Sequence, residues 1–189
     1  MLDVTFICTG NRCRSPFAEV ALRRLGDSLP LHVTSCGTLD LAAEPSTPEM
    51  ISAARALGLD LDAHRSRHLS LGNLEHADLV LGFELNHVAA AVVDGGVPAE
   101  KVFFLKEIVR LLEAVPPSPE MDPERRARAR IKRAAELRSV DHGHRTGEGI
   151  SDPFGRSDRV YAETAGLIQD LCRRLIAGLF GIEAPPHQT

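Results

Sequence analysis

Cys8-Thr9-Gly10-Asn11-Arg12-Cys13-Arg14-Ser15-Pro16, preceded by Val4-Thr5-Phe6-Ile7, is the stretch that decides the fold. The four leading residues are apolar and β-rich and read as a buried strand. Ser15-Pro16 reads as a helix start, since serine is a good N-cap and proline is favoured at the first helical position. The loop between therefore joins the carboxyl end of a strand to the amino end of a helix. Its successive N–H groups can turn inward as an anion-binding nest, with the positive helix end adding to the field. Gly10 permits the backbone angles such a loop needs. The thiol of Cys8 then sits on the lip of the nest, and Arg14 can fork onto two oxygens of a bound oxyanion. A βα turn can carry a cysteine and an arginine by chance. Here strand, glycine, Arg-Ser-Pro and helix all stand at the offsets that hold a phosphate over a sulfur.

Outward from this loop, strands and helices alternate. A helix over about 16–25 puts Ala18, Ala21, Leu22 and Leu25 on one face and stops at Gly26. Leu31–Cys36 is a second strand, and Thr47-Pro48-Glu49 begins a helix through Leu57. Leu79–Phe83 and Lys101–Phe104 are strands three and four, each followed by a helix, and a long closing helix runs from about Ser157 to Leu179. The alternation predicts an α/β fold, three layers αβα around a four-stranded parallel sheet, whose ligands gather at the carboxyl ends of the strands.

Residues 1–183 read as a single domain, interrupted over 116–150 by a basic helix and a loop, with 184–189 as a flexible tail. The helix capped by Asp122-Pro123 shows only a thin apolar stripe, Ala127, Ile131 and Ala134, and reads mainly as solvated surface, with contact to an acidic substrate or partner as the other option. His142 and His144 invite a metal reading, but no carboxylate or cysteine stands at ligand spacing, so a loop without metal is expected.

A length of 189 residues with 43% hydrophobic and 25% charged composition suits one globular domain. A net charge of −4 gives no reason to expect nucleic acid or an anionic membrane as partner. Met1-Leu2-Asp3 leads straight into the first strand without a basic leader, and no apolar run is long enough to span a bilayer. The four cysteines, 8, 13, 36 and 172, lack zinc-like or disulfide-framework spacing, and a reducing cytoplasm is the expected setting. Oligomeric state is left open.

Cys8 to Pro16 resembles the phosphate-binding loop of the low-molecular-weight protein tyrosine phosphatases, and the wider match covers most of the chain apart from about 116–148 and the last few residues. The resemblance implies a cysteine nucleophile at Cys8, a phosphate-binding Arg14 and a phosphate cradle of Thr9, Gly10, Asn11, Arg12, Cys13 and Ser15. Ser35-Cys36-Gly37-Thr38 resembles the family's Ser-Ala-Gly-Thr, which makes Ser35 a support for the loop. A histidine at the place of His64 contacts the loop asparagine in the family, implying a pairing of His64 with Asn11. Asp152-Pro153-Phe154 resembles the family's Asp-Pro-Tyr, implying that Asp152 is the general acid and that Phe154 lines the pocket. The family can also join two loop cysteines as a reversible disulfide, here Cys8 and Cys13.

The chemistry needs these residue types. A thiolate is the nucleophile, and loop amides, a helix amino end and Arg14 favour it, lowering thiol pKa values to roughly 3.5–7.5 in such settings. The Ser15 hydroxyl can add a hydrogen bond to the sulfur. Attack on phosphorus gives a cysteinyl-phosphate, with Asp152 first protonating the leaving group and then activating water. No cofactor or metal is expected, because Arg14 and the amides carry the charge that magnesium carries elsewhere.

Two departures bear on substrate, which the resemblance implies is a phosphorylated protein or a small phosphate ester. Leu39-Asp40-Leu41-Ala42 lacks the aromatic that the family usually places there, leaving Phe154 as one aromatic wall. Arg12 stands where tyrosine phosphatases of this family carry a branched apolar residue and the bacterial protein-arginine phosphatases carry threonine. Asp152-Pro153-Phe154-Gly155 and Lys101-Val102-Phe103-Phe104-Leu105-Lys106-Glu107 look more like that arginine-phosphatase branch, yet Arg12 adds positive charge at the rim and disfavours a guanidinium. The expectation is hydrolysis of phosphotyrosine in proteins, with phosphoarginine or a small ester as the alternative. Arsenate reduction on this fold needs two further cysteines beyond the third strand, and Gly82–Asp94 contains none.

Overall fold

Strand β1 (Leu2–Cys8) lies between β2 (Leu31–Gly37) and β3 (Leu79–Gly82), and β4 (Val102–Phe104) completes a parallel sheet of order β2-β1-β3-β4. The computed structural model describes residues 1–72, 74–140 and 147–183. The strands are buried on both faces, as parallel sheets are. Val4, Phe6, Cys8, Leu79, Leu81 and Phe103 belong to one apolar cluster, while Ile7, Val80, Val102 and Phe104 belong to the other. This is the period-two alternation of a pleated strand.

The larger cluster is covered by helices α1 (Arg14–Leu25), α2 (Pro48–Ala56), α4 (Leu105–Ala114), α5 (Pro123–Val140) and α6 (Asp158–Phe180). On the opposite face, α3 (Leu85–Val93) and short turns around Leu69 and Leu74 cover the smaller cluster. The expected αβα layering with four parallel strands is what the chain forms. Each fully buried Leu, Ile or Phe in these layers contributes about 1.5–3 kcal/mol. Among the described residues no helix is long and apolar enough to cross a membrane.

Two expectations need correction. Helix α1 begins at Arg14, with Cys13 as its N-cap and no side-chain cap bond, so Ser15 lies inside the helix. Its hydroxyl turns inward to the loop instead. The basic helix α5 is also more than solvated surface. Ala127, Ile131 and Ala134 are buried, and Arg130, only 6% exposed, donates to the carbonyls of Leu112, Val115, Pro116 and Gly178. The guanidinium thereby satisfies the carboxyl end of α4 and pins α6 to it. Arg138 reaches the carbonyls of Ala99 and Val102 and lies 4.0 Å over the Phe103 ring, covering the β4 edge. Arg128 pairs with Asp78, just ahead of β3 and thus at the end of the sheet away from Cys8. The paired histidines 142 and 144, and the tail 184–189, lie outside the described residues.

Candidate active site

The loop after β1 winds under a pocket of about 290 Å³ lined by Cys8, Thr9, Gly10, Arg12, Cys13, Leu39, Leu41, Asp152 and Phe154. Its tightest turn falls on Asn11, whose φ of 49° is left-handed, rather than on Gly10. A non-glycine residue there is strained by about 1 kcal/mol or more, and surrounding bonds must hold it. They are all present. Asn11 Nδ2 donates to Ser15 Oγ at 2.9 Å and to Ser35 Oγ at 2.8 Å, its Oδ1 accepts from the Arg67 amide at 2.9 Å, and its carbonyl accepts from His64 Nε2 at 2.7 Å. The carbonyl can only accept, so Nε2 of His64 carries the proton. Ser35 in turn donates to Glu19 Oε2 at 2.5 Å, and Glu19 pairs with Arg23.

This network explains the loop locally. Asn11 is fully buried and its amide matches two hydroxyls and one N–H, which no aliphatic side chain could do. Gly37, at the end of β2, is equally constrained. A Cβ there would meet Thr9 O at 2.8 Å and Asn11 N at 2.9 Å, so only glycine lets β2 approach the loop. Ser15 Oγ lies 3.0 Å from Cys8 Sγ and 3.3 Å from the Cys36 carbonyl, close enough for its one proton to serve either acceptor.

The four thiols are free and buried. Burial pushes Cys13 up to about 11 and Cys36 up to about 12, in each case with the neighbouring Cys8 sulfur adding to the rise, and burial alone pushes Cys172 up. Of the four, Cys8 and Cys13 line the pocket. Cys13 also lies 3.5 Å from Thr47 Oγ1, the N-cap of α2.

Arg14 is fully buried. Its Nη1 donates to Glu84 Oε2 at 2.7 Å and to the Ile150 carbonyl at 2.8 Å, and its Nη2 donates to Asp152 Oδ2 at 2.6 Å. Its Nε is buried with no hydrogen-bond partner. Cys8 and Asp152 line one pocket, and the buried Arg14 reaches it through its hydrogen bond to Asp152. The sequence reading placed these three together but missed Glu84 and His87. Glu84 is the N-cap of α3, and its only sequence cue is an acidic residue at a strand-to-helix junction. His87, fully buried, accepts at Nδ1 from the Glu84 and Phe83 amides at 3.1 and 3.4 Å, so Nε2 carries the proton that reaches Thr9 Oγ1 at 3.0 Å. Burial and the Arg14 charge lower its pKa to about 4. Desolvation likewise lowers His64.

At the rim, Phe154 is 61% exposed, and its amide donates to Asp152 Oδ1 at 3.2 Å. Arg12 is drawn sideways. Its Nε donates to the Pro45 carbonyl at 2.8 Å, and Nη2 lies 3.8 Å from Glu44. Part of its charge is thus compensated at the pocket wall. Among the described residues, no cluster of three or more His, Cys, Asp or Glu side chains could hold a metal ion.

Known proteins resemble this chain in sequence and in fold. The sequence profile of the family described as low molecular weight phosphotyrosine protein phosphatase matches residues 3–115. A protein-arginine-phosphatase of Bacillus subtilis is 28% identical over 176 residues, 92% of this chain and 94% of that protein. The low molecular weight protein-tyrosine-phosphatase Wzb of Salmonella typhimurium is 38% identical over 87 residues, 46% of this chain; the match spans 57% of Wzb. Among solved structures, a YwlE mutant from Bacillus subtilis superposes with a TM-score of 0.68 at 28% identity, covering 93% of this chain and 97% of the other. A low molecular weight protein tyrosine phosphatase from T. tengcongensis gives 0.68 at 25% identity, covering 93% and 98%.

Proposed function

The chain belongs to the low molecular weight phosphotyrosine protein phosphatase family, and from that premise we propose that it hydrolyses phosphotyrosine in proteins with Cys8 as nucleophile, Arg14 as phosphate-binding group and Asp152 as general acid. The observation that carries this reading is the convergence of Cys8 and Asp152 on one pocket lined by the loop that leads into α1. Loop amides and the helix end favour negative charge there, on sulfur and on phosphate oxygen alike. Arg14, whose Nε has no partner within the protein, can offer Nε and, once Asp152 lets go, Nη2 as a fork for two phosphate oxygens.

The Cys8 sulfur attacks phosphorus as the P–O bond to the leaving group breaks, and Asp152 delivers a proton to the departing oxygen. Water then attacks the cysteinyl-phosphate and gives its proton to the Asp152 carboxylate, and the thiolate leaves with inorganic phosphate released. Thr9, Gly10, Asn11, Arg12, Cys13 and Ser15 form the cradle, with Ser35 and His64 bracing Asn11. Leu39, Leu41 and Phe154 offer apolar surface to an aryl group. Four free thiols suit a reducing, cytoplasmic setting.

The test is turnover of an aryl phosphate in excess chelator. Activity should persist there and vanish in Cys8→Ser; activity surviving the serine variant overturns the assignment. A second reading, phosphoarginine, is favoured by one observation, the deflection of Arg12 towards Pro45 and Glu44. That deflection weakens the repulsion of a guanidinium at the rim. Specificity constants for phosphotyrosyl and phosphoarginyl peptides, repeated with Arg12→Thr, discriminate the two.

A further inference from the structure

Residues 147–151 form a strap that delivers Asp152 to the pocket, and it is held from two sides. On one side, Lys106 Nζ from the first turn of α4 donates to the carbonyls of Gly149 at 2.9 Å and Gly147 at 3.4 Å. Arg110 Nε, one turn on, donates to Glu148 Oε1 at 3.0 Å. On the other side, the Ile150 amide donates to Phe83 O at 2.7 Å, and the Ile150 carbonyl accepts from Arg14 Nη1 at 2.8 Å. Two of the five strap residues next to the acid are glycines whose carbonyls share one ammonium donor.

This matters because glycine has the largest backbone freedom, and Gly147 uses it at a φ of 93°. Neither glycine has a side chain to pack. A Cβ at Gly147 would meet nothing within 4 Å, and one at Gly149 would meet only Phe83 O at 3.6 Å. Local sterics leave the strap loose, so its course depends on the hydrogen bonds it accepts. An ammonium donating to two carbonyls fixes both at once, since its three N–H bonds spread over a cone. Ile150, buried at 4% exposure, transmits that position in two directions: forward along the chain to Asp152, and sideways through its carbonyl to the Arg14 guanidinium.

We infer that Lys106 is a positioning residue for the acid of the reaction, setting through the strap where Asp152 stands over Cys8. This inference rests on the reading of Asp152 as general acid. Loss of the ammonium frees the Gly147 and Gly149 carbonyls to turn to water and lets Asp152 drift. A displaced acid costs rate only where the leaving group needs its proton, and misplacement on the scale of an ångström is worth about a hundredfold.

The experiment measures kcat/KM for aryl phosphates of graded leaving-group acidity, in the parent, Lys106→Met, Lys106→Arg and Asp152→Asn. For a phenol of tyrosine-like pKa, about 10, Lys106→Met should lose about ten- to a hundredfold, while a strongly acidic phenol should be turned over almost as in the parent. Lys106→Arg, which keeps a cation that can donate to both carbonyls, should recover most of the loss. A uniform fall across the series, or none, overturns the inference. If Asp152→Asn is steep in leaving group and Lys106→Met is flat, the strap inference alone fails. If Asp152→Asn is itself flat, the acid assignment falls first. Thermal unfolding of each variant identifies any that is unfolded at assay temperature, and Lys106→Gln then carries the same comparison.

Discussion

Arg14 Nη2 donates to Asp152 Oδ2 at 2.6 Å, so the group proposed to bind phosphate and the group proposed to protonate the leaving oxygen hold each other. A phosphate dianion that forks onto Nε and Nη2 of Arg14 competes with that carboxylate, and part of its binding energy is spent in the competition. Binding and acid placement are therefore competing demands on one guanidinium.

Asp152→Asn should uncouple them. The amide keeps a hydrogen-bonding oxygen but loses the charge, which makes it a weaker competitor for Arg14. Turnover of poor leaving groups should fall by about 10²–10⁴, while inorganic phosphate should inhibit the variant several-fold more tightly than the parent. Competitive inhibition constants decide this. Unchanged or weaker phosphate binding would show that the Arg14–Asp152 pair does not oppose the ligand.

Asn11→Ala should be the most damaging change in the loop outside Cys8 and Arg14. It removes the amide that donates to Ser15 and Ser35, whose hydroxyls keep Cys8, Cys36 and Glu19 as partners, leaves the Arg67 amide unsatisfied, and removes the bonds that hold a left-handed residue in place. A loss of about 1–3 kcal/mol is expected, the cost of one buried unsatisfied group. Urea unfolding measures it, and kcat/KM should fall with it because the cradle loosens. Asn11→Gly should recover some stability by relieving φ, but not activity.

Most of this site was legible because its parts are contiguous. Strand, loop and helix start fall within residues 4–16, and local offsets suffice to read them. The roles of Glu84, His87 and Lys106 were not legible, because each comes near the site or its strap only after the sheet brings β1, β3 and β4 side by side, Glu84 standing 70 residues from Arg14 in the chain. Helix α5 was misread for a different reason. Charge count suggests solvent, yet an arginine can be buried when carbonyls at helix ends satisfy its fork.

Arg130→Met tests that correction. The substitution keeps much of the apolar stem and abandons the carbonyls of Leu112, Val115, Pro116 and Gly178. Stability should fall by about 2–4 kcal/mol. At a temperature where the variant is folded, kcat/KM should stay within about twofold of the parent, since nothing in this group of contacts touches the pocket. A change under about 0.5 kcal/mol, as for an ordinary surface site, would restore the solvated reading.

Cys13 sets the terms of any redox protection of Cys8. Burial pushes its thiol up to about 11, so little of it is thiolate near neutrality. If Cys13 closes a disulfide onto oxidised Cys8, closure must speed up with pH across the neutral range. Peroxide treatment followed by thiol should restore more activity in the parent than in Cys13→Ser, with the gap wider at pH 8.5 than at pH 6.5. Equal recovery at both values would leave Cys13 a packing residue.

His87 should give the native state a pH dependence of its own. Burial first, and the Arg14 charge second, lower its pKa from 6.5 to about 4, while Asp152 pulls weakly the other way. As pH falls through 6.5 the unfolded chain takes up a proton that the native imidazole refuses until about pH 4. The unfolded state therefore binds more protons across that window, and stability declines as pH falls, the whole contribution being lost below about 4. A shift of this size corresponds to roughly 3 kcal/mol. Urea unfolding of the parent and of His87→Gln should give curves whose difference is flat above pH 6.5 and shrinks towards pH 4, with carboxylates common to both cancelling. Activity should share the acid limb, because a protonated Nδ1 cannot accept from the Glu84 and Phe83 amides, and Glu84 then loses its hold on Arg14. Parallel stability curves for the two proteins would mean that the His87 environment reorganises around the charge instead of resisting it.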